Sequence, residues 1–119
     1  MKLLFVADPL DTFKIHKDST FAMMREAASR GHTLWACEPQ DLVWQQGSTV
    51  QAHARQICLT GQATQWFTVQ DTRVLALHEV NAVLMRKDPP FDAEYLYATH
   101  LLTQAEREGA RVFNRPDAL

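Results

Sequence analysis

The chain has 119 residues, enough for one domain and for an ordinary core without disulfides or bound metal. With 46% hydrophobic and 22% charged residues and a net charge of -2, it reads as one globular domain, with no basic field to attract nucleic acid or anionic lipid. No apolar run approaches the roughly 18 residues of a membrane span.

The first element is the apolar run from Leu3 to Ala7, closed by Asp8-Pro9. It is too short for the apolar region of a signal peptide and suits a strand buried on both faces. A polar loop through Lys14, His16 and Lys17 leads to Asp18-Ser19-Thr20, a row of helix N-caps. Phe21, Met24, Ala27 and Ala28 recur at helical spacing, Glu26 and Arg30 can pair across one turn, and Gly31 is the stop. Thr33 to Cys37 is a second short apolar strand, closed by Glu38-Pro39. Strand, helix and strand form a βαβ unit, expected to cross over right-handed.

From about residue 40 to residue 78 the pattern changes. Thr49 to Arg55 alternates strictly, as a half-exposed strand does, and Asp41 to Trp44 and Trp66 to Val69 read as further short strands. An antiparallel hairpin or small meander inserted into the α/β pattern is expected here. The α/β pattern resumes with Val80 to Met85 and breaks at Arg86-Lys87-Asp88-Pro89-Pro90-Phe91-Asp92. Asp92 can cap a helix whose inner face is Tyr95, Ala98, Leu101, Leu102 and Ala105, with Glu106-Arg107-Glu108 solvated and Gly109 as the stop. Arg111 to Asn114 is a fourth short strand, and Pro116 begins what reads as another helix, so the chain is expected to be a piece of a longer protein. The parallel strands are expected in the order 2-1-3-4.

Cys37 and Cys58 lie in apolar contexts and read as buried, reduced thiols of a cytoplasmic protein. The five histidines (16, 32, 53, 78 and 100) show no metal-ligand spacing, so no metal site is expected. Glycines 31, 47, 61 and 109 are too scattered for a phosphate-cradling loop. Phe91, Tyr95, Tyr97 and the three tryptophans read as core or interface anchors.

Open parallel sheets bind ligands beyond the carboxyl ends of their strands. Three such ends carry polar groups: Asp8 and the loop to Lys17, Asp18 and Ser19; Arg86, Lys87 and Asp88; and Asn114 with Arg115. Arg86 sits on a stiff, proline-terminated mount, where its planar fork suits a ligand carboxylate, or else an internal acid such as Asp8 or Asp92. The Lys17-Asp18-Ser19 turn suits an anion or plain N-capping. Asp8 suits a ligand amine or a turn.

Several stretches together resemble the N-terminal domain of the prokaryotic type of glutathione synthetase, an ATP-grasp ligase family. They are Lys17 to Met23, Arg30-Gly31-His32, Glu38 to Leu42, Leu84 to Asp92, Glu94-Tyr95, Tyr97-Ala98-Thr99 and Asn114-Arg115-Pro116. The resemblance covers essentially the whole chain, and the Arg-Lys-Asp-Pro-Pro-Phe-Asp block is its most specific part. The chain departs from the family at Ala7 before Asp8-Pro9 and at His16 before Lys17. The resemblance implies a Rossmann-like, three-layer pre-ATP-grasp domain with a mainly parallel sheet. It implies an enzyme that joins γ-glutamylcysteine and glycine using ATP and Mg²⁺, both bound by lobes C-terminal to residues 1–119. It further implies that this domain forms one wall of the peptide site, takes part in homo-oligomer contacts and is inactive alone. The substrate-binding set expected on this basis is Asp8, Lys17, Ser19, Arg86, Lys87, Asp88 and Asn114, with no catalytic residue and no metal ligand among them. Another ATP-grasp peptide or amino-acid ligase, or a stand-alone binding module, is the alternative.

Overall fold

The computed structural model describes residues 1–45, 47–87 and 92–113. Among them are seven strands and two α-helices: β1 (Lys2–Ala7), α1 (Ser19–Ser29), β2 (Thr33–Cys37), β3 (Leu42–Val43), β4 (Gln51–Leu59), β5 (Phe67–Ala76), β6 (Ala82–Arg86), α2 (Ala93–Arg107) and β7 (Val112–Phe113). Asp88, Pro89, Pro90, Phe91 and the expected helix at Pro116 lie outside the described residues, as does Asn114.

All seven strands share one sheet. β1 pairs in parallel with β2 on one side and β6 on the other, and β6 pairs in parallel with β7. The order β2-β1-β6-β7 is the expected 2-1-3-4 of the parallel strands. β1 reads as a continuous apolar run because both its faces are covered. Phe5, Leu34, Ala36 and Leu84 meet Met24 and Ala27 of α1 on one face. Leu4, Val6, Trp35, Val83 and Met85 meet Ala98, Leu101, Leu102 and Ala105 of α2 on the other. The result is the expected three-layer α/β arrangement.

Both helices begin and end where local chemistry dictates. Asp18 Oδ1 accepts from the N–H groups of Thr20 (2.8 Å) and Phe21 (3.3 Å) at the start of α1, and Asp92 Oδ1 accepts from Tyr95 N (2.9 Å) at the start of α2. Gly31 (φ 83°) and Gly109 (φ 103°) follow the two C-terminal caps. There His32 N donates to Ala27 O and Ala110 N to Ala105 O, the bonding pattern of a left-handed glycine stop.

The middle segment forms the expected antiparallel hairpin, β4 with β5, and joins it to the same sheet, because β4 also pairs antiparallel with β2 and β3. β5 runs seven residues beyond Val69, the end read from sequence, because its polar stretch Gln70 to Arg73 pairs along β4 without covering an apolar face. A bulge opposite Gln56/Ile57 accommodates Gln70.

Two readings of individual residues are corrected. Cys58 is exposed, because Ile57 takes the buried phase of the strand and its neighbour must point outward. Glu108 is not a solvated residue: its Oε1 accepts from Val50 N (2.8 Å) and its Oε2 from Gln104 Nε2 (3.0 Å). Trp44 and Tyr97 are exposed, so of the core and interface roles expected for them the core one does not hold. Trp66, by contrast, is buried in an aromatic group. Its ring stacks on Phe13 (5.3 Å between centroids) and meets Phe21 and Phe67 edge-on, pinning the loop after β1 to α1 and the β4–β5 turn.

Candidate functional site at the carboxyl rim of the sheet

In the parallel register Ala7 lies opposite Arg86. The next residue on each strand, Asp8 and Lys87, therefore leaves the sheet at the same level. Lys87 Nζ lies 2.8 Å from Asp8 Oδ1, with both side chains largely shielded from solvent at 18% and 23% exposure. The acidic tip of the first strand and the cations leaving β6 thus share one rim.

Arg86 turns to the start of α1. Its Nη2 donates to Ser19 Oγ (2.7 Å) and its Nε to Thr20 Oγ1 (3.2 Å). Thr20 is buried. The guanidinium is thus oriented by two neutral hydroxyls rather than neutralised by Asp8 or Asp92, the internal acids considered from sequence. Two of its five N–H donors are used in this way, and among the described residues the other three remain for a carboxylate.

At the α1 N-terminus, Asp18 occupies the first free N–H groups, so the capping reading describes that turn. Lys17 is exposed beside it. It lines an open cleft of about 340 Å³ with Thr12, Lys14, Asp18 and Ser19. Ser19 therefore links two features, the Arg86 contact and the lysine-flanked cleft. Of the residues expected from sequence, Asp8, Ser19, Arg86 and Lys87 are brought together directly, Lys17 adjoins them through Ser19, and Asp88 and Asn114 lie outside the described residues.

A second cleft, of about 400 Å³, opens on the other side of Asp8 between the ends of β1 and β2 and the flank of β4. Its lining includes the ionisable side chains Asp8, Asp11, Glu38, Asp41, His53 and Arg55. Sequence reasoning did not single out Glu38, Asp41, His53 or Arg55 as site residues. Two signals pointed to three of them: Glu38 ends an apolar strand, and His53 and Arg55 occupy the outward phase of an alternating one. Cys37 also lines this cleft, but burial pushes its thiol well up, and the Asp41 and Glu38 carboxylates push it further. It stays protonated at neutral pH and does not serve as a nucleophile there.

Among the described residues no group of three or more His, Cys, Asp or Glu is placed to hold a metal ion. No described helix is long and apolar enough to cross a membrane.

The family described as prokaryotic glutathione synthetase, N-terminal domain, matches residues 1–119. Among curated proteins, a glutathione synthetase of Ralstonia nicotianae is 54% identical over 119 residues, covering 100% of this chain and 36% of that protein. One from Nitrosomonas europaea is 47% identical, covering 98% of this chain and 37% of that protein. One from Vibrio parahaemolyticus is 43% identical, covering 100% and 37%. The chain thus spans a little over a third of the length of these relatives.

Proposed function

Because the chain belongs to the family of prokaryotic glutathione synthetase N-terminal domains, we propose that it is the substrate-side domain of an ATP-grasp ligase that joins γ-glutamylcysteine to glycine, forming glutathione, ADP and phosphate. Residues 1–119 form one wall of the peptide site. In this reading ATP and Mg²⁺ are held by lobes C-terminal to residues 1–119, as the family resemblance implies. The enzyme works in the cytoplasm as a homo-oligomer, and the 119 residues alone form no glutathione.

The observation that carries this reading is the rim itself. A guanidinium braced by Ser19 and Thr20 stands beside the Asp8–Lys87 pair at the carboxyl end of the central strands. In the proposed site, Arg86 and Lys87 hold substrate carboxylate, while Asp8, Lys17 and Ser19 line the same cleft; Asp88 and Asn114 complete the proposed set. Binding through pre-positioned donors fixes the peptide before the bond-forming step without itself moving protons.

The test is steady-state turnover of γ-glutamylcysteine by the full-length protein carrying Arg86→Ala or Asp8→Ala. Loss of one charge-assisted contact should lower kcat/KM by about 10- to 100-fold in Arg86→Ala. Unchanged kinetics in both variants would reject the site, and absence of glutathione formation by the unmutated full-length protein would reject the function.

A further inference from the structure

The 400 Å³ cleft beside Asp8 holds a half-buried cation with no partner of opposite charge among the described residues. Arg55 projects from β4, and among the described residues its side chain makes neither an ion pair nor a hydrogen bond; its guanidinium lies 5.9 Å from the centre of the Phe67 ring. The carboxylates of Glu38 and Asp41 line the same cleft and are already held in place. Asp41 Oδ2 accepts from Glu38 N (2.8 Å), and Glu38 Oε1 accepts from Gln40 Nε2 (2.9 Å). Each carboxylate offers about four acceptor sites, so both retain capacity.

Charge decides what such a cleft takes. Asp8 is offset by Lys87, leaving Asp11, Glu38 and Asp41 against the single fixed cation Arg55. An isolated anion is disfavoured by the carboxylates, and an isolated ammonium leaves Arg55 unpaired. A group with an ammonium and a carboxylate on one carbon satisfies both sides.

We infer that this cleft is a subsite for the α-amino-acid head of the peptide substrate, with Arg55 on its α-carboxylate and Glu38 and Asp41 on its α-ammonium. The inference rests on the proposed ligase reading. In γ-glutamylcysteine the glutamyl α-ammonium and α-carboxylate take no part in bond formation, which occurs at the cysteinyl carboxyl. They are the groups a rigid wall can hold throughout the reaction. Glycine is also a zwitterion, but its nitrogen must be unprotonated to attack, and a cleft rich in carboxylates would keep it an ammonium.

The experiment uses the full-length protein and three acyl donors: γ-glutamylcysteine, 4-aminobutanoyl-cysteine, which lacks the head carboxylate, and glutaryl-cysteine, which lacks the head ammonium. The unmutated protein should lose about 10- to 100-fold in kcat/KM on removal of either group. Arg55→Ala should lose that factor on γ-glutamylcysteine and lose nothing further on 4-aminobutanoyl-cysteine, with KM for glycine unmoved. Glu38→Gln should show the matching pattern with glutaryl-cysteine, which keeps the test open if Arg55→Ala fails to fold. Equal penalties on the full and truncated acyl donors, as a purely structural role would give, overturn the subsite, as does an Arg55→Ala protein with unchanged kinetics. Failure of the unmutated protein to ligate γ-glutamylcysteine would instead overturn the functional reading on which the subsite rests.

Discussion

Glu108 stands at the C-terminal cap of α2, where the helix dipole disfavours an anion by about 0.3–1 kcal/mol. Its Oε1 accepts from the N–H of Val50, a residue with no solvent exposure just before β4. Glu108→Ala removes the acceptor and strands that N–H, at about 1–3 kcal/mol, while relieving the dipole term. The difference is a net loss of about 1–2 kcal/mol. At about 2.1 cal/mol/K of unfolding entropy per residue, a domain of this length loses about 4 °C of Tm per kcal/mol, so a drop of roughly 4–8 °C is expected. Glu108→Gln keeps a carbonyl acceptor and sheds the misplaced charge, so it should stay within about 0.5 kcal/mol of the parent. Thermal and urea unfolding of the 119-residue chain, followed by circular dichroism, reads both. If Glu108→Ala matches the parent, water satisfies Val50 N–H and the bridge is unimportant. If Glu108→Gln is as costly as Glu108→Ala, charge rather than acceptor geometry carries the effect.

Two further outcomes follow from the same structure. Asp18→Ala should lower stability by about 1 kcal/mol through loss of the α1 cap, and Asp18→Asn should restore most of it in the same unfolding assay; equal losses would show that the cap is not the cause. Cys37 has a folded pKa raised mainly by burial, so its stabilising contribution is intact below about pH 8.5, where the unfolded thiol ionises, and is lost as pH rises beyond that. Urea unfolding between pH 8 and 10 should therefore fall more steeply for the parent than for Cys37→Ala, by up to about 1.4 kcal/mol per pH unit, and parallel curves would refute the assignment.

The parts of the fold legible in the sequence were those set by short-range chemistry. Asp18 and Asp92 announce their helices by the bonds they make two and three residues on, and the apolar runs of β1, β2 and β6 announce a sheet covered on both faces. The strand-end rule placed Asp8 and the Arg86-Lys87 pair on one rim because parallel strands of similar length end at one level. What could not be read was choice of partner. Arg86 meets Ser19 and Thr20 rather than an acid because α1 starts over the end of β6, a packing fact with no local signature. Glu108 looked solvated because its neighbours Glu106 and Arg107 are exposed and its acceptor role depends on a backbone group 58 residues away. β5 was underestimated because a strand exposed on much of both faces has no reason to alternate.

The antiparallel run of β4 has a consequence for how this surface can change. A parallel neighbour of β2 would stop at the level of Cys37, whereas β4 pairs Arg55 with Ala36 and extends past it through Gln51, forming an upright screen over the rim. Ala52 and Ala54 root that screen in the core, while His53 and Arg55 face the cleft. Outward positions can therefore be exchanged with little disturbance to the packing behind them.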